Sequence, residues 1–128
     1  MNCPEKPRAQ SLPDLRKTAL LSYRRGSGLT LDKIVRTPNC EDLFGSQNPS
    51  IVRRSIVETI ASEPNERVLR ALANALGIYE DHPDTMLTQR REGYAREHGH
   101  SMRTLVYYEE IGSIVAAQIL PDFIELST

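Results

Sequence analysis

Seven side chains in the first half of this 128-residue chain have the chemistry needed to grip a polyanion: Arg24, Thr30, Lys33, Arg36, Ser50, Arg53 and Arg54. Guanidinium and ammonium groups neutralise phosphates and release their counterions, hydroxyls bond phosphate or base edges, and arginine forks onto guanine. Arg16, Lys17 and Arg25 extend the set. Charge is unevenly spread. Residues 1–57 hold ten Lys and Arg against five Asp and Glu, while residues 58–128 hold six against twelve, so a net charge of −1 conceals a basic front and an acidic back. Near neutrality excludes a featureless nucleic-acid coat but leaves room for a local cationic patch. A solvated, charge-rich helix surface is the plainer reading of the same residues.

The elements that must position them are helical by pattern. Ser11 predicts an N-cap for a first helix running from Leu12 or Pro13 to about Arg25, with Leu15, Ala19, Leu20 and Tyr23 inward. Thr30 caps a second helix carrying Leu31, Ile34 and Val35 and stopped by Pro38, and a short turn of helix fits Glu41 to Phe44. After the breaker-rich loop from Gly45 to Pro49, Ser50 is the expected cap of a third main helix reaching Ile60. Ile51, Val52, Ser55, Ile56, Thr59 and Ile60 form its apolar side and leave Arg53 and Arg54 elsewhere on the wheel. A helix lying in a major groove touches bases with its N-terminal half, which would be Ser50, Arg53 and Arg54. A core helix with two exposed arginines is an equal alternative.

From Glu58 to Ile78 the punctuation is clearer. Ala61, Ser62 and Glu63 connect two helices, Pro64 with Asn65 opens the next, and Val68, Leu69, Leu72, Ala73 and Leu76 recur on one face until Gly77 stops it in a left-handed residue. With Arg24, the Gly28-Leu29-Thr30 start of the second helix, Ile34-Val35, Glu58, Pro64 and the run from Leu72 to Ile78, this stretch resembles the XRE (Cro/repressor-like) helix-turn-helix family over residues of about 20–78. The resemblance implies a helix-turn-helix that reads double-stranded DNA. Between Val35 and Glu58 this chain is longer than the family's tight turn, and Leu31 stands where the family often has a DNA-contacting glutamine.

In the acidic half, Tyr79 to Asp84 reads as a linker, followed by helices of about Thr85 to His98 and Ser101 to Leu120, the second closed by Pro121. Its inward face is expected to be Leu105, Tyr108, Ile111, Val115 and Ile119, with Val106, Ile114, Ala117 and Leu120 widening the apolar arc toward a partner chain. The stretch Tyr94 to Ser101 followed by Met102 to Gly112 is similar to the MerR signature, in which Arg103 and Tyr107 would contact phosphate; Gly99 would let the chain turn left-handed between the two helices and Ser101 would cap the second. A helical hairpin for dimerisation or ligand response is the alternative.

Two cysteines, Cys3 and Cys40, supply neither a disulfide framework nor a CxxC spacing, which suits a reducing cytoplasm. No apolar run approaches a membrane span, so no membrane association is expected. His82, His98 and His100 lack metal-ligand spacing, and Glu109 and Glu110 point in different directions on a helix. Neither metal, cofactor nor catalysis is expected. The sequence therefore predicts an all-α, compact bundle of five to six helices containing a helix-turn-helix with a lengthened turn. Residues 1–11 would be a disordered arm, 12–80 a DNA-binding domain and 81–128 a C-terminal hairpin. The implied activity is sequence-specific, non-enzymatic regulation of transcription by a homodimer on double-stranded DNA. The competing class is a protein-interaction module, an antitoxin-like or anti-regulator subunit with a protein partner.

Overall fold

A computed structural model describes residues 11–78 and 85–121. The expected arm, except Ser11, and the linker from Tyr79 to Asp84 lie outside the described residues, with Cys3 and His82. Among the described residues all regular structure is helical: α1 (Leu12–Ser22), α2 (Leu31–Val35), α3 (Cys40–Phe44), α4 (Pro49–Ala61), α5 (Arg67–Ala75), α6 (Leu87–His98) and α7 (Met102–Ile119). Five are full helices, and α2 and α3 are single turns.

Local chemistry sets most of these ends. Ser11, Thr30 and Ser101 each accept a backbone N–H from three residues on, which satisfies one of the donors that every helix start leaves without an intrahelical acceptor. Gly77 and Gly99 close α5 and α6 with φ of 67° and 68°. Three starts differ from the expected ones, the mildest being α6, which begins at Leu87 with Met86 as N-cap rather than at about Thr85. Asn48 caps α4, its Oδ1 accepting from the Ser50 and Ile51 amides, so Pro49 takes the first helical position and Ser50 the next. Pro64 and Asn65 form a turn ahead of α5, which begins at Arg67 with Glu66 as N-cap.

The main core gathers Leu20, Tyr23, Ile34, Phe44, Val52, Ile56, Ile60, Leu69, Leu72 and Leu76 from five helices, and Ala116 and Leu120 of α7 close it. The C-terminal hairpin thus shares the core of the preceding helices. A smaller cluster of Ala71, Tyr94, Ala95 and Leu105 joins α5 to the hairpin.

Two inward faces are rotated from those the large apolar residues predict. On α1, Leu15 is 38% exposed and Arg16 is buried in its stead. On α7, the buried side is Leu105, Glu109, Gly112, Ser113, Ala116 and Ala117, whereas Ile119 is exposed and Tyr108, Ile111 and Val115 are half-buried. Small residues win because α5 and α7 cross closely: a Cβ added at Gly112 would lie 2.2 Å from the Val68 carbonyl oxygen. Since backbone cannot yield as a flexible side chain does, Gly112→Ala is expected to separate the helices and cost about 1–3 kcal/mol. Thermal unfolding followed by circular dichroism checks this; an unchanged midpoint would contradict the close crossing.

Candidate nucleic-acid interface

α4 buries Val52, Ile56 and Ile60 and packs against α2, so the two helices present a paired outer surface. Ser50 and Arg54 are exposed near the start of α4, and no acidic residue occupies its first turn. Arg53 is half-buried; its Nε donates to the Leu29 carbonyl at 3.3 Å, which anchors the stem of the side chain at the entrance to α2. Thr30 is used locally, its hydroxyl accepting from the Lys33 amide at 3.3 Å. Arg36 is largely exposed and makes a 3.2 Å surface pair with Asp32. Such a pair is worth little in water and exchanges readily for another anion.

Arg24 and Lys33 are placed differently. Arg24 turns inward, donating to Glu109 at 2.5 Å and to the Leu21 carbonyl at 3.1 Å. The Lys33 ammonium donates to the carbonyls of Arg25, of Gly28 at 2.7 Å and of Tyr23 at 3.4 Å, tying α2 to the turn after α1. Burial, with Arg90 adding like charge, pushes its pKa below the usual lysine value. Both cations are engaged in holding the scaffold, as is the buried Arg16. The surface cations of this region are therefore Arg25, Arg36 and Arg54, with Arg53 at the margin.

The lengthened segment between α2 and α4 folds inward. Leu43 and Phe44 of α3 are buried, Phe44 stands 6.4 Å from the Tyr23 ring, and the Tyr23 hydroxyl meets that of Thr37 at 2.5 Å. Burial raises the Tyr23 pKa, opposed by the Thr37 hydrogen bond, and burial likewise raises that of Cys40. Cys40 thus has the environment of an unreactive thiol.

On α7, Arg103 and Tyr107 are exposed. The turn ahead of them has the geometry expected for it, with Gly99 left-handed and the Ser101 hydroxyl capping α7. His98 stacks on Tyr94 at 4.0 Å, and its Nδ1 lies 3.0 Å from the Tyr94 carbonyl. Among the described residues no group of three His, Cys, Asp or Glu is placed to hold a metal ion, and no helix is long and apolar enough to cross a membrane.

Two structural arginines had no signal in the pattern. Arg90 of α6 is 7% exposed and donates to five backbone carbonyls: Arg24, Gly26, Asn74, Ala75 and Thr85. Arg16 donates to those of Leu43, Ala117, Leu120 and Pro121. An apolar groove beside α1, walled by Pro38 and Leu43, had no signal either, because nothing in the composition of residues 37–49 says that they fold back on the first helix. No family model, no curated protein and no solved structure matches this chain.

Proposed function

We propose that the protein is a cytoplasmic, sequence-specific double-stranded DNA-binding regulator of helix-turn-helix type, acting as a homodimer without catalytic activity. The observation that carries this reading is the exposed N-terminal half of α4, held by its opposite face against α2, with Ser50 and Arg54 outward and Arg53 beside them. Ser50, Arg53 and Arg54 would meet base edges, and Arg36 a flanking phosphate. Thr30 and Lys33 would act through the position of α2, and Arg24 through that of α1. The outward side of α7, with Tyr107 and Ile114 at 59% and 40% exposed, supplies an apolar surface for a second copy.

A second reading has its own support. Leu31 and Val35, one turn apart on α2, are 45% and 65% exposed. Apolar side chains there suit a protein partner better than a phosphate backbone. In this case the chain is an interaction subunit of antitoxin-like or anti-regulator type.

Selection from a randomised duplex pool, followed by titration at low and moderate salt, separates the two. A regulator enriches one site and weakens steeply with salt. Arg54→Ala then costs about 1–3 kcal/mol at one base position, with Arg53→Ala relaxing the same site. Failure to enrich any sequence, or equal binding by both variants, rejects the regulator and leaves the interaction subunit.

A further inference from the structure

An open groove of about 630 Å³ runs between α1 and the segment that lengthens the α2–α4 connection. One wall is the stripe Leu12, Leu15, Ala19 and Tyr23 of α1, and Pro38 and Leu43 face it. The direction of its polarity follows from the contacts. Lys33 bonds the Tyr23 and Arg25 carbonyls, which puts the cations Arg25, Lys33 and Arg36 at the C-terminal end of α1. Arg16 bonds the Leu43 carbonyl, which puts Leu43 and its neighbour Asp42 toward the other end.

The walls offer little to a polar ligand. The hydroxyls of Thr18, Ser22 and Thr37 are already bonded to the carbonyls of Asp14, Ala19 and Lys33. Lys33 spends its donors on carbonyls, Arg36 holds only its exposed pair with Asp32, and Arg25 is exposed with no ion pair among the described residues. An occupant that fits is apolar along its length and anionic at one end. From Leu12 to Tyr23 the helix rises about 16 Å, a length that suits a medium to long alkyl chain.

We propose that the groove binds a long-chain carboxylate, its alkyl chain along α1 and its head group on Arg25 and Arg36. Charge complementarity fixes the orientation, since Asp42 repels the head group from the opposite end. The volume is that of an ordinary small-molecule site. The segment between α2 and α4 then has a role separate from reading a duplex: it supplies the second wall.

Isothermal titration of the full chain with dodecanoate, kept below its micellar concentration, tests this without DNA, so the outcome is independent of the duplex selection. One dodecanoate is expected to bind per chain. Leu15→Glu places a carboxylate in the trough at an exposed position where folding is not at stake, and is expected to weaken binding at least about tenfold; Arg25→Glu does so by about the same factor. Dodecyltrimethylammonium, with the same chain and the opposite charge, should not displace dodecanoate. Three results overturn the proposal: no saturable binding, dodecanoate affinity unchanged in Leu15→Glu, or equal binding of the cationic amphiphile. Binding of an acidic amphipathic peptide in place of dodecanoate also overturns it, and would identify the groove as a protein-docking surface.

Discussion

Replacing Arg90 with methionine is expected to remove about 3–5 kcal/mol of stability, enough to leave a domain of ordinary stability marginal. The guanidinium reaches carbonyls at the ends of two helices, Asn74 and Ala75 at the close of α5 and Arg24 and Gly26 just after α1, and Thr85 ahead of α6. Helix C-termini leave carbonyls without intrahelical donors and concentrate negative partial charge. One planar cation with five N–H donors meets both needs. Methionine fills similar space but supplies no donor, so buried acceptors are stranded. Burial lowers the arginine's pKa, Glu109 opposes that and Arg91 adds to it; these shifts act far above neutral pH. Urea unfolding of Arg90→Met and Arg90→Lys checks the argument. Lysine should restore only part of the loss, because three donors on a flexible stem cannot reproduce a five-donor fork. Equal stability of wild type and Arg90→Met would remove the basis for treating Arg90 as the tie between α1, α5 and α6.

What could be read in advance depends on how far away in sequence the deciding contact lies. Helix ends were legible at Ser11, Thr30, Gly77, Gly99 and Ser101 because capping depends on neighbours within a few positions. So was the α5 face from Leu69 to Leu76. The faces of α1 and α7 were not. Arg16 is inside because carbonyls at Leu43 and, more than a hundred residues away, at Leu120 and Pro121 surround it. Helical periodicity favours Leu15 for that position, since it carries no information on distant acceptors. On α7, periodicity selects large apolar side chains, whereas a close helix crossing selects small ones.

For the candidate interface, legibility depended on what each cation meets. Arg36 and Arg54 are exposed, as a reading surface requires. Arg24 and Lys33 have the same chemistry and similar sequence surroundings, yet Glu109 and the turn after α1 claim them. Arg24 is held by Glu109 of the acidic half, and Arg16 and Lys33 by backbone carbonyls, so the +5 of residues 1–57 overstates the cations left for phosphates.

Glu109→Gln is the second substitution expected to act strongly. The carboxylate is fully buried and receives Arg24, just after α1, at 2.5 Å and Arg91 of α6 at 2.6 Å, with Arg91 also reaching the second oxygen at 3.0 Å. Glutamine keeps the shape but removes the charge and turns one acceptor into a donor, leaving two guanidiniums facing an amide. Breaking a buried ion cluster from one side costs about 3–5 kcal/mol, and the partial exposure of both arginines places this case toward the lower end. Their side chains, 16% and 19% exposed, can recruit some water. Removing all three charges together differs in principle, because no unpaired ion remains: the triple variant Arg24→Met, Arg91→Met and Glu109→Leu should recover most of the loss. A triple variant as unstable as Glu109→Gln would mean that the cluster's packing, not its charge balance, holds α1 to α6 and α7. If recovery is found, duplex selection with the triple variant separates the two roles of Arg24. Retained selection would confine Arg24 to positioning α1, and lost selection in a fully folded variant would return it to the DNA-contacting set.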